Sequence, residues 1–147
     1  IFMEIKFKSN SSKLIPTRAH PTDAGADLRS ANDYEIYPGE MCLVDTGVAL
    51  QIPVGYTGLV VPRSSMGKIQ VSIANTIGVI DSDYRGNILV RLKNNGEDPF
   101  IIEKENTRIA QLLIVPIAYA WFEPVEWDHE IWNNTNRGTG GFGSTGE

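Results

Sequence analysis

The chain has one cysteine, Cys42, in 147 residues. A lone cysteine excludes an internal disulfide and fits a reducing compartment. It sits in an apolar segment and is expected in the core. Long hydrophobic runs are also missing; none approaches the roughly 18 apolar residues of a membrane-spanning helix. There is no basic excess: the net charge is −5. That argues against a polynucleotide as the main partner, because proteins that grip a nucleic-acid backbone are usually basic. A small phosphorylated ligand stays possible, since it needs only a few placed arginines and amides. Histidine is scarce. His20 and His129 lie far apart, without a second ligand at zinc-like spacing. Neither G-x-x-x-x-G-K-S/T nor G-x-S-x-G occurs. "GTGGFG" near the C-terminus fits a dinucleotide pattern, but no helix follows it, so that reading fails. No amphipathic helix of ordinary length, internal repeat or interdomain linker is visible.

What is present reads as one all-β domain. Its length suits a single compact unit with a real core. "CLVDTGVALQI", "TGLVV", "NILVRLKN", "PFIIEK" and "RIAQLLIVPI" are short segments rich in Val, Ile and Leu. Turn-forming stretches separate them, as in a sandwich or barrel. "PGE" at 38–40 and "NNGED" at 94–98 are predicted turns. The best short-helix candidate is "RSSMGK" at 63–68, after Pro62. Residues 9–25 are polar and contain proline. Residues 133–147 carry glycine at 138, 140, 141, 143 and 146. Disorder is the bland reading of such a tail.

Four of the seven arginines, Arg63, Arg85, Arg108 and Arg137, fall in segments with other unusual features. "PRSSMG" follows a strand, and a short helix there would aim amides and the Ser64 and Ser65 hydroxyls at an anion; an ordinary capped turn is the alternative. Gln111 interrupts the apolar "RIAQLLI" and needs hydrogen-bond partners if buried. In "GGFGSTG", glycines let backbone amides turn inward as an anion nest. Ser144 and Thr145 add hydroxyls, Arg137 adds a fork, and Phe142 is a lone aromatic suited to stacking on a flat ligand. "TIGVIDSDYRGNI", 76–88, is an apolar run broken by two carboxylates with glycines on both sides.

The segments "DAGADLRSA", "PRSSMG", "NTIGVIDSDYRGNI", "RIAQLLI" and "RGTGGFGSTG", in this order, resemble the five motifs of the trimeric deoxyuridine triphosphatase (dUTPase) family. The resemblance runs from about Pro21 to Gly146. It implies a jelly-roll-like β barrel over 1–132 and a C-terminal arm, 133–147, that closes over an active site. It also implies a homotrimer with sites at subunit interfaces, and Mg²⁺-dependent hydrolysis of dUTP to dUMP and pyrophosphate. That reaction limits uracil in DNA and supplies dUMP for dTMP synthesis.

Residue roles carried over by position are as follows. Asp81 would be the general base that deprotonates the attacking water. Tyr84 would pack on the deoxyribose and exclude a 2′-hydroxyl. Asn75 and the backbone of Gly78, Val79 and Ile80 would form a uracil slot. Arg63, Ser64, Ser65 and Gln111 would hold phosphates. Arg137, Phe142, Gly143, Ser144 and Thr145 would close over the ligand, with Phe142 stacked on uracil. Asp27 would sit near Mg²⁺ and act through water. Arg85 and Arg108 are expected to be structural, and Asp83 to cap a turn.

Two alternatives stand beside this reading. One is a dCTP deaminase of the same fold; such chemistry would need a glutamate-centred proton shuttle, where this chain has Asp81. The other is a regulatory binding protein that uses dUTP as a switch. The start "IFMEIKFK" is too short and too charged for a signal peptide. A cytoplasmic location is therefore expected, or a nuclear or host-cell one for a viral source, with no secretion and no membrane partner.

Overall fold

The computed structural model describes residues 2–143. Among them the architecture is all-β. Eleven short strands run in chain order: β1 (Lys6–Ser9), β2 (Ala26–Arg29), β3 (Tyr34–Ile36), β4 (Met41–Asp45), β5 (Val48–Gln51), β6 (Tyr56–Val61), β7 (Val71–Ile73), β8 (Gly78–Ile80), β9 (Leu89–Asn94), β10 (Phe100–Ile102) and β11 (Arg108–Pro116). Two 3-10 turns, Ser12–Leu14 and Ser64–Gly67, and one four-residue helix, α1 (Glu130–Asn133), complete the set.

Every pairing is antiparallel, in four sheets: β1-β5, β3-β10, β4-β9-β7 and β2-β11-β6-β8. None of these sheets closes into a barrel among the described residues. The last strand among the described residues ends at Pro116, well before the arm expected to begin at 133.

The strands form where alternation makes one face apolar. In β9, Val90, Leu92 and Asn94 point inward while Leu89 and Arg91 are exposed, the period of two that a half-buried strand needs. The core gathers Leu14, Leu28, Ile36, Val44, Val48, Val60, Ile88, Leu92, Ile102 and Ile109. Each such side chain contributes roughly 1.5–3 kcal/mol by leaving water. Leu14 lies in the polar stretch 9–25 yet is fully buried. The Ser12–Leu14 turn carries it inward, with the Ser11 hydroxyl accepting from the Lys13 amide at 3.2 Å.

The segment 42–52, read as one run, is two strands in two sheets. Gly47 breaks it with φ +65, and the Asp45 carboxylate accepts its amide at 2.7 Å. A side chain at 47 would also meet the Leu14 methyl at 2.7 Å. Cys42 packs half-buried against the core rather than inside it, and burial pushes its thiol pKa up.

The turn at 94–98 is organised by a buried amide. Asn94 donates to the carbonyls of Ile36 and Asp98, both at 2.8 Å, and accepts from the Gly96 amide at 2.9 Å. Asn94→Ala strands the Ile36 carbonyl in the core. It is expected to lose about 3 kcal/mol of stability, seen as a lower Tm in thermal unfolding.

Candidate functional site

The four-stranded sheet positions most of the predicted site residues. Asp27 on β2 and Val61 on β6 both stand opposite Gln111 on β11. These three therefore form one row across the sheet, and the chain passes from Val61 through Pro62 to Arg63 just beyond it. The backbone of Asp27 is fixed again on its outer side, where its amide donates to the Thr17 carbonyl at 2.7 Å. The loop before β2 is tied by its own bonds. Arg18 Nε donates to the Asp23 carbonyl at 2.8 Å, and the His20 amide donates to the Asp23 carboxylate at 2.9 Å. That amide bond and the neighbouring imidazole hold the Asp23 carboxyl below its usual range.

At the end of the row lies a charged cluster. Arg63 Nε donates to Asp27 Oδ1 at 2.6 Å, and Arg108 Nη1 donates to Asp27 Oδ2 at 3.3 Å. Arg63 Nη1 donates to Ser65 Oγ at 3.2 Å. The Asp27 and Arg63 side chains are only 18% and 25% exposed, so this cluster is shielded more than an ordinary surface pair. The expected helix after Pro62 is a single 3-10 turn, pinned by Met66 in the core. It leaves Ser64 and Ser65 exposed beside Arg63.

Gln111 donates to the Pro62 carbonyl at 2.9 Å. It can do so because residue 25 is glycine. A Cβ there would fall on the Gln111 carboxamide oxygen and lie 2.9 Å from its carbon. Gly25 is thus a site residue missed in the sequence, although it stands in "DAGADL" two residues before Asp27.

The second group lies on β8 and its flanks. Thr76, with φ +67, turns the chain, and Asn75 Nδ2 donates to the Ile77 carbonyl at 3.4 Å. Gly78 stands opposite Val60, Val79 opposite Leu59 and Ile80 opposite Gly58. Thr57 Oγ1 fastens the far end by donating to the Ile80 carbonyl at 2.7 Å. Val79 is 63% exposed, so its side chain lies outside the core.

Asp81 follows, exposed, and its carboxylate has no hydrogen-bond or ion-pair partner among the described residues. The Tyr84 hydroxyl donates to the Asn87 carbonyl at 2.7 Å, which lays its ring over Gly86. Arg85 closes the 81–85 turn by donating to the carbonyls of Ser82 at 2.6 Å and Tyr84 at 3.0 Å. Asp83, expected to cap this turn, makes no hydrogen bond among the described residues; Arg85 does that work from the opposite charge.

The two groups do not meet within one chain. Asp81 emerges beside Thr57, and Arg63 lies six residues further along β6 and its extension. At the rise of a strand that is roughly 20 Å. The third group lies in the C-terminal segment. Arg137 Nε donates to the Gly140 carbonyl at 2.8 Å, and Phe142, with φ +48, is fully exposed. Gly143 ends the described chain; Ser144 and Thr145 lie outside it.

An all-β sheet that ends in arginine, serine and amide donors, with a separate unpaired carboxylate on a hairpin, presents a donor set suited to a phosphorylated small molecule. A family model for dUTPase matches residues 11–146. The chain belongs to the dUTPase family. It is 46% identical over 133 residues to deoxyuridine 5'-triphosphate nucleotidohydrolase of Cutibacterium acnes, covering 90% of this chain and 85% of that one. It is 45% identical over 147 residues to the protein of that name from Nautilia profundicola, covering 99% and 100%. Among solved structures it is similar to a variant of the Staphylococcus bacteriophage 80alpha dUTPase with dUpNHpp. The TM-score is 0.82 at 30% identity, with 98% and 99% of the two chains covered. A variant dUTPase from phage phi11 of S. aureus, which coordinates a structural Mg(II) ion, gives a TM-score of 0.77 at 29% identity, with 86% and 99% covered.

Proposed function

We propose that this protein hydrolyses dUTP to dUMP and pyrophosphate, as a homotrimer, with Asp81 as general base. The observation that carries the reading is the joint presence of a cluster of arginine, serine and amide donors and an unpaired aspartate in a chain of this family. Arg63, Ser64, Ser65 and Gln111 bind and orient the triphosphate. Asp81 takes a proton from water, the water oxygen attacks phosphorus, and the bond to the pyrophosphate leaving group breaks. Asn75 and the backbone from Gly78 to Ile80 offer donors and acceptors to uracil. A site built on such bonds rejects a wrong base by leaving buried groups unpaired, worth ~10⁴–10⁵ in selectivity. Tyr84, its ring held by the Asn87 carbonyl, stands against the sugar. Arg137, Phe142 and Gly143, with Ser144 and Thr145, close over the nucleotide and exclude water.

Mg²⁺ fits these residues in one way only. No three metal-ligating side chains gather among the described residues. An ion held chiefly by phosphates and waters needs no such cage; Asp27, whose oxygens are engaged by Arg63 and Arg108, would act on it through water. Bound there, Mg²⁺ neutralises phosphate charge.

Two features support assembly with further copies. The separation of Asp81 from Arg63 leaves each chain with parts of two sites. Trp121, Phe122 and Trp127, close together in sequence, are also 93%, 90% and 82% exposed, aromatic side chains that a partner copy could cover.

The direct test is pyrophosphate release from a panel of dNTPs and NTPs with Mg²⁺. dUTP is expected to be turned over at least ~10²-fold faster than dCTP, dTTP or UTP. Ammonia release from dCTP would favour the deaminase instead. Gly25→Ala supplies a local check. It drives the Gln111 amide from Pro62 and is expected to raise KM for dUTP by about threefold to tenfold, with little change in Tm.

A further inference from the structure

Arg108 was expected to be structural, but a register shift in the sheet re-aims it. Gln111 pairs with Asp27, and Ala110 with Leu28. Regular pairing would continue with Ile109 opposite Arg29 and Arg108 opposite Ser30, a residue that is fully buried. Arg108 would then point into the core. Instead a β-bulge between Arg108 and Ala110 sets Arg108 opposite Arg29, on the face that carries Asp27 and Gln111. Ile109 and Ala110 both enter the core, which breaks the alternation of β11. Bulges next to functional sites commonly re-aim a side chain.

The re-aimed guanidinium meets Asp27 Oδ2, while Oδ1 holds Arg63 Nε. The Nε and Nη2 atoms of an arginine form a two-donor edge that matches both oxygens of a carboxylate. With Arg108 absent, Asp27 can turn and take both donors of Arg63. With Arg108 present, Asp27 engages Arg63 through Nε alone. Arg63 Nη1 goes to Ser65, and Nη2 makes no hydrogen bond among the described residues.

We propose that Arg108 is a positioning residue: by occupying Asp27 Oδ2 it keeps Asp27 from capturing Arg63 bidentately, and so leaves Arg63 Nη2 for a substrate phosphate. This deepens the hydrolase reading and rests on the phosphate-binding role given there to Arg63.

The test is calorimetric titration with a non-hydrolysable dUTP analogue and Mg²⁺, beside steady-state kinetics and melting. Wild type, Arg108→Met, Arg108→Lys, Asp27→Asn and the Arg108→Met/Asp27→Asn double variant are compared. Arg108→Met is expected to weaken analogue binding and raise KM by about tenfold, with kcat changed far less. Arg108→Lys, which still donates to Oδ2, restores most of the affinity. In the Asp27→Asn background the same Arg108→Met change adds less than about twofold, because a neutral amide no longer competes for the fork.

Wild-type affinity in Arg108→Met overturns the proposal. So does a tenfold loss that persists in the Asp27→Asn background, which would mean that Arg108 touches the ligand itself. Should Arg108→Met melt early, Arg108→Gln replaces it in both backgrounds. A wild type that binds the analogue without releasing pyrophosphate from dUTP overturns the hydrolase reading alone. One that binds no analogue overturns both.

Discussion

Asp81→Asn is expected to lower kcat by about 10²–10⁴ while nucleotide affinity is retained. Asparagine keeps the size and shape of the side chain but cannot accept the proton that water must lose. Asp81 is exposed, with no partner among the described residues, so the substitution orphans no buried charge. Stability should stay within about 0.5 kcal/mol of wild type, the usual range for surface changes. Single-turnover pyrophosphate release gives the rate, and calorimetry with a non-hydrolysable analogue gives the affinity. A variant with wild-type kcat would remove Asp81 from the role of base.

Deletion of residues 137–147 is expected to reduce kcat/KM for dUTP by at least about 10²-fold, the loss typical when preorganised donors are taken from a transition state. The fold should survive. Among the described residues the last strand ends at Pro116, and the side-chain bonds of Arg137 and Gly138 reach only Gly140 and Thr135. Phe142 contributes nothing to the core. Melting temperature and light scattering distinguish the outcomes. If the truncated protein melts early or loses its assembly, the arm is part of the scaffold and not a closing device.

The strands most legible in the sequence were the long apolar ones: β6, β9 and β11 lie where Val, Ile and Leu cluster, and β10 falls inside "PFIIEK". The turn at "PGE" was legible for a local reason, and Gly39 there takes φ +82. Other elements were hidden. β1, β2 and β3 have three or four residues, too few for periodicity to declare itself, and β1 reads as lysines around one exposed phenylalanine. Such strands exist because a partner strand supplies their hydrogen bonds. The break at Gly47 was hidden because the residues on both sides are equally apolar.

The site divides in the same way. Five ordered motifs marked the candidate residues for nucleotide binding and catalysis, since such motifs keep hydroxyls, amides and charges at set spacings along the chain. The apolar segments and the turns between them determined the all-β class, and the resemblance of the five motifs to those of one family pointed to that family and to the candidates Arg63, Gln111 and Asp81. Only the tertiary structure decided which of them meet. Asp27 and Arg108, eighty-one positions apart, come together because a bulge shifts the register of β11 against β2. Gly25 matters because Gln111 leans into the space its missing side chain leaves. Asp81 and Arg63 lie on one chain and at different ends of one strand pair. Register, close approach and distance across a sheet are relations between segments remote in sequence, and no local pattern encodes them.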